Sequence, residues 1–145
     1  MARHAVLRTS FALSGYSRPL QLVHREASVP LSVEDLRSLS ASEQESAVAD
    51  WIEAEKGRAF DWSEAPLFRF QVHHRTSDSF TLTLSFHHAI LDGWSVATML
   101  AELFRWYAYL RRGEGGGSRA PAPVGLARPP WRFAHASRRA CTGRR

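Results

Sequence analysis

The chain has one cysteine, Cys141, in 145 residues. A single thiol excludes an intrachain disulfide, and it excludes a cysteine-built zinc site within one chain. Long apolar runs are missing too. The opening Met1-Ala2-Arg3-His4 has no apolar stretch of the kind that marks a secretory signal, and no later run approaches the roughly 20 residues needed to span a bilayer. No membrane role is expected, and a cytoplasmic location is the default. The third lack is positive charge on the body of the chain. The net charge is +5, but residues 1–112 hold 12 Lys/Arg against 13 Asp/Glu, while residues 113–145 hold seven Arg and one Glu. The basic character therefore belongs to the end of the chain, and no specific nucleic-acid surface is expected on its body. What remains, at 44% hydrophobic and 23% charged residues, is ordinary for a globular domain.

Organisation follows from periodicity. Residues 3–39 read as a helix end followed by extended segments. Ser14-Gly15 and Arg18-Pro19 punctuate them like a hairpin turn before Leu20-Gln21-Leu22-Val23-His24, and Pro30 opens a further extended piece, Leu31-Ser32-Val33. Ser40-Ala41-Ser42-Glu43 has the form of a capping box, with Ser42-x-x-Glu45 as an alternative frame. Ala47, Val48, Trp51, Ile52 and Glu55 then follow helical spacing toward Gly57, with Trp51 and Ile52 expected to face a core. After Pro66, Phe68, Phe70 and Val72 alternate with polar residues. Beyond the turn-like Thr76-Ser77-Asp78, Phe80, Leu82, Leu84 and Phe86 do the same, which predicts a β-hairpin. Ser95 is expected to cap a last helix in which Val96, Met99, Leu100, Leu103, Phe104, Tyr107 and Leu110 form an apolar stripe. Arg111 and Arg112 close it, and Gly113 is a plausible stop. Residues 113–145, rich in Gly, Pro and Arg without periodicity, read as a disordered tail.

The chemistry concentrates in His87-His88-Ala89-Ile90-Leu91-Asp92-Gly93-Trp94-Ser95, between the last predicted strand and the last predicted helix. Imidazole moves protons near neutral pH or holds an amine or hydroxyl in place. A carboxylate four residues on can orient the ring or brace the loop. Gly93 has no Cβ, so the backbone there can turn tightly and approach a ligand. Continuing the period of two sends His87 with Ser85 and His88 with Phe86, so the two rings are expected to face opposite ways and to have different jobs.

The run resembles the HHxxxDG motif of nonribosomal peptide synthetase condensation domains, members of the chloramphenicol-acetyltransferase-like superfamily. Two further stretches agree. Arg3-His4-Ala5-Val6-Leu7-Arg8-Thr9-Ser10-Phe11 resembles the family's RHExLRTxF motif, with Ala5 where Glu is usual. Phe60-Asp61-Trp62 and Pro66-Leu67-Phe68-Arg69 resemble its Phe-Asp-Leu…Pro-Leu-x-Arg stretch. The order and spacing match over about residues 2–112. The resemblance implies an α/β fold: a partial chloramphenicol-acetyltransferase-like lobe, a mixed sheet with packed helices, over residues 1–112. It also implies amide-bond formation between acyl or peptidyl and aminoacyl thioesters. These would be tethered to the 4'-phosphopantetheine of carrier proteins, with no cofactor bound directly by the chain.

Carried over by position, His88 would be the catalytic histidine, as general base or as the group that positions the amine, and His87 would be structural. Asp92 would brace the loop through an ion pair with an arginine, in this chain or outside it. Gly93 would let the backbone line the substrate tunnel. Arg8, with Arg3, would be a scaffold residue near the site. The expected partners are peptidyl or acyl carrier proteins and other synthetase modules. The family's remaining motifs and its second lobe have no counterpart in the chain, so an N-lobe fragment is expected, with marginal stability or self-association through uncovered surface. A catalytically inactive remnant that at most binds a carrier protein or another chain is the alternative. Metal binding by His73, His74, His87, His88 and Asp92 is a further one, although their spacing matches no recognised zinc-protease motif. No metal is expected. Trp51, Trp62 and Trp94 read as packed aromatics.

Overall fold

A computed structural model describes residues 3–112, and the predicted tail and Gly113 lie outside them. The described residues divide into two units, one ending at Val96 and the other beginning at Ala97.

The first unit opens with one turn of 3₁₀ helix, Ala5–Arg8, and then strand β1, Thr9–Ala12. Gly15, at φ 82°, supplies the left-handed residue that the turn requires. Strand β2, Leu20–Val23, returns antiparallel to β1, pairing Thr9 with Val23 and Ala12 with Leu20. The hairpin punctuation is borne out.

Strand β3, Leu31–Asp35, leads through helix α1, Ala41–Lys56, to strand β4, Phe68–His74, which lies parallel to β3. Parallel strands need such a crossover, and α1 supplies it. Strand β5, Phe80–Phe86, then pairs antiparallel with β4, giving a three-stranded mixed sheet in the order β3-β4-β5. Helix α1 starts at the first of the two capping frames. The Ser40 hydroxyl accepts from Glu43 N–H while the Glu43 carboxylate accepts from Ser40 N–H at 2.8 Å, so two of the helix's orphan donors are satisfied.

Both sides of β4 carry buried residues. Alternation marks Phe68, Phe70 and Val72 as the apolar side of β4, yet Gln71 and His73 on its other side are buried, His73 completely. The cause is α1, whose residues 44, 48, 51 and 55 form one helical stripe over that side. Trp51 meets the His73 ring edge-on at 5.8 Å, and Glu55 pairs with Arg69 Nε at 2.6 Å. Gln44 Nε2 donates to the carbonyls of Leu36 and Arg75 at 3.0 and 3.1 Å. Ile52 lies off this stripe and is 36% exposed, which corrects its expected place in the core; Trp51 is half-buried. On the opposite side the register groups Leu31 and Val33 of β3 with Phe70, Val72, Leu82 and Leu84, and Leu31 and Val33 are more than half exposed. The buried apolar residues are Leu7, Leu36, Val48, Leu67, Phe68, Ile90 and Leu91.

Helix α2, Gly93–Arg111, begins in the first unit and continues into the second. Its helical stripe is present, though Leu103, Phe104, Tyr107 and Leu110 are exposed. Among the described residues no helix is long and apolar enough to cross a membrane.

Candidate active site at the end of β5

The loop His87–Asp92 joins β5 to α2 and is held by its own backbone. His87 N–H donates to Leu67 O at 2.9 Å, and His87 O accepts from Ile90 N–H at 3.1 Å. The His87 side chain closes the turn, its Nδ1 accepting from Ala89 N–H at 3.0 Å. Ile90 and Leu91 are buried and anchor the loop to the core.

The two histidines have different surroundings. The His87 ring is half-buried and meets the Trp62 indole edge-on at 4.3 Å and Phe60 at 6.4 Å. Phe60 in turn lies under the Arg69 guanidinium at 3.8 Å, on the side of the sheet that carries Ser85. His88 is exposed and packs edge-on against Phe86 at 5.1 Å. This is the divergence that the period of two predicts. The residue between the two pinned peptides, His88, presents its imidazole outward.

Asp92 acts on the helix that follows the loop. Its Oδ1 accepts from Ser95 N–H at 2.7 Å, and its carbonyl accepts from Val96 N–H at 2.9 Å. Asp92, not Ser95, therefore caps α2, which corrects the expected cap: the helix starts three residues earlier, at Gly93, and Ser95 supplies the capped amide. Among the described residues no arginine pairs with Asp92. Hydrogen bonding from the Ser95 hydroxyl and from Ser95 N–H holds the Asp92 carboxyl below the usual carboxylate range. Gly93 is the first residue of α2, has no left-handed φ, and a Cβ there would meet no atom within 4 Å. A tight turn is thus not what requires glycine at this position, which corrects that part of the expectation. Trp94, expected to be packed, is 68% exposed.

Arg8 points its guanidinium along the β1–β2 sheet, Nη1 donating to the carbonyls of His24 and, at 2.9 Å, Arg25. It secures the end of β2. Beside it the buried Ser10 hydroxyl meets His24 Nε2 at 2.7 Å. Strand β1 reaches the histidine loop through Phe11, whose N–H donates to Trp62 O at 2.6 Å and whose ring meets the indole at 5.5 Å. Sequence reasoning missed this role of Trp62; the signal for it was the departure from leucine in the Phe-Asp-Leu stretch. The metal alternative receives no support: among the described residues no group of three or more His, Cys, Asp or Glu side chains could hold a metal ion. His73 is enclosed under α1, with Glu34 Oε2 3.4 Å from its Nε2.

Comparison with known proteins decides the kinship. The condensation-domain family model matches residues 1–118. The chain belongs to that family. It is 40% identical over 114 residues to a linear gramicidin synthase of Brevibacillus parabrevis, a match covering 79% of the chain and 2% of that protein. It is 39% identical over 115 residues to AMB antimetabolite synthetase AmbE of Pseudomonas aeruginosa, covering 78% of the chain and 5% of that protein. Among solved structures, the first condensation domain of the calcium-dependent antibiotic synthetase superposes with a TM-score of 0.69 at 22% identity, over 85% of this chain and 28% of that one. That likeness establishes the shared fold, a mixed α/β arrangement of helices and a mixed sheet. The condensation-domain chain thus spans a small part of each curated relative's length.

Proposed function

We propose that the chain carries the catalytic loop of an amide-forming condensation site. Its substrates would be acyl or peptidyl and aminoacyl groups held as thioesters on carrier proteins during nonribosomal peptide synthesis. The observation that carries this reading is the exposed His88 imidazole, held at the end of β5 with the peptides on both sides of it hydrogen-bonded, in a chain whose family is that of condensation domains.

In the reaction, the amine nitrogen of the aminoacyl group attacks the thioester carbonyl. A C–N bond forms, the C–S bond breaks, and the carrier's thiol leaves. The amine must lose a proton along this path, and the departing thiolate must gain one. A neutral imidazole at His88 can accept the first proton or hold the amine by hydrogen bonding. His87 is structural in this reading, since its Nδ1 is engaged by Ala89 N–H. Asp92 supports the site by starting α2, and its carboxylate remains the group that would meet an arginine as the resemblance implies. Open space in front of Gly93 Cα suits close approach of a pantetheine arm, and Arg8 is a scaffold residue of the β1–β2 sheet. Partners would be carrier proteins and neighbouring synthetase modules.

The test supplies aminoacyl- and peptidyl-carrier proteins to the chain and looks for dipeptide. Product that disappears in His88→Ala supports the proposal. Product that persists in that variant overturns the role of His88. No product at all, with binding of a carrier protein retained, supports the alternative of a catalytically inactive binding module.

A further inference from the structure

The Trp62 indole is held from two sides before it reaches His87. Phe11 donates its N–H to Trp62 O and sets its ring against the indole. The neighbouring Asp61 carboxylate accepts from Ser63 N–H at 2.8 Å and from the Ser63 hydroxyl at 2.6 Å, which closes a local turn around Trp62. From this base the indole meets the His87 imidazole at 4.3 Å, and Phe60 flanks the same ring.

The orientation of His87 matters because of what its ring does. Nδ1 accepts from Ala89 N–H, so in a neutral ring the proton sits on Nε2. Together with Leu67 O on His87 N–H and Ile90 N–H on His87 O, this contact fixes the main chain on both sides of His88. The His88 side chain itself has only the Phe86 ring beside it among the contacts of the described residues. Its position is therefore set by its backbone, and its backbone is set in part by the His87 ring. Rotating that ring would release Ala89 N–H, and exposing its face to water would offer Nδ1 a competing donor.

We infer that Trp62 is a positioning residue: its indole clamps His87 in the orientation and tautomer that receive Ala89 N–H, and thereby places His88. The inference rests on the reading of His88 as the reacting histidine. Trp62 is 37% exposed, so its removal opens little of the core and its effect is expected to stay local.

The test follows the ring nitrogens of the ¹⁵N-labelled 145-residue chain by NMR. In the unaltered chain His87 shows the pattern of a fixed Nε2–H tautomer. In Trp62→Ala that pattern collapses toward an average of tautomers, while the patterns of His24 and His73 stay unchanged. Trp62→Phe, which keeps an aromatic edge, restores the fixed pattern. Where Trp62→Ala does not fold, Trp62→Leu is read in the same way. A fixed His87 tautomer in a folded variant lacking the indole overturns the inference, as does an equal disturbance of all three histidines. In the dipeptide assay Trp62→Ala should lower kcat about ten- to a hundred-fold with little change in KM, the range expected when a reacting group is displaced by about 1 Å. Product that survives His88→Ala would sink the functional reading while leaving the NMR result in force, so the two failures are distinguishable.

Discussion

Asp92 shows at the scale of one residue how a motif position can do work that its pattern does not name. In the HHxxxDG run it invites pairing with a histidine or an arginine; in the fold it is the N-cap of α2. An N-cap carboxylate gains from the unsatisfied amides at the helix start and from the positive end of the helix dipole. Its pKa is lowered from an ordinary 3.8, first by the Ser95 hydroxyl and then by Ser95 N–H. The sign follows directly: a depressed folded-state value stabilises the fold above the ordinary pKa, and that contribution is lost as pH falls through the folded value. The start of α2 should therefore loosen below about pH 4, with the Ser95 amide proton reporting it in an NMR titration. Asp92→Asn should retain a cap and lose that pH dependence; Asp92→Ala should lose the cap at every pH. A Ser95 amide shift that ignores both pH and substitution would refute this assignment.

Elements are where charge and packing combine, and α1 on β4 is the instructive pair. The helix meets the side of the strand that carries Arg69 and His73, and Arg75 just beyond it, and it does so with Gln44, Trp51 and Glu55. Glu55 and the Arg69 side chain are both largely buried, and Arg69 Nη2 also donates to Arg58 O at 2.7 Å. Removing one charge from such a pair leaves the other uncompensated in a poorly hydrated place. Glu55→Ala is expected to cost about 3 kcal/mol in urea unfolding, whereas removing an exposed pair such as Lys56–Glu53 should cost well under about 1 kcal/mol. Ser40→Ala, which removes one half of the capping box, should cost about 1 kcal/mol by the same measurement. Equal losses for the Glu55 and Glu53 variants would show that the interface is not as dry as the burial indicates. These contacts also explain the limits of reading β4 from its alternation. The period of two identifies the strand and its two sides, but it does not show that α1 buries the polar side with matched groups while Phe68 is buried on the apolar one.

For the molecule as a whole, the exposed apolar surface decides behaviour. Leu31 and Val33 stand 56% and 58% exposed on β3, an outer strand of its three-stranded sheet, and Phe104 and Leu110 stand 48% and 61% exposed on α2. Apolar side chains beside an open strand edge favour association with another surface. The chain on its own is expected to self-associate as its concentration rises, which analytical ultracentrifugation would detect, and Val33→Lys should reduce the effect. A monodisperse monomer with sharp, cooperative unfolding would contradict this. The fully buried Phe68 tests the core in turn: Phe68→Ala should cost roughly 3–5 kcal/mol, read from the urea midpoint.

The sequence by itself determined the elements and the kinship. Capping at Ser40, alternation across 68–86 and the three collinear motifs depend on near neighbours and spacing, which a linear chain displays in full. The different neighbours of His87 and His88 were legible for the same reason, because a strand's pleat propagates one residue at a time. Only the tertiary structure decided that α1 buries the polar side of β4, that Asp92 caps α2, and that Trp62 bears on His87. Each of these joins residues through a packing choice that local propensity does not encode: 14 positions separate Glu55 from Arg69, and a contact over that distance is selected by the fit of two surfaces.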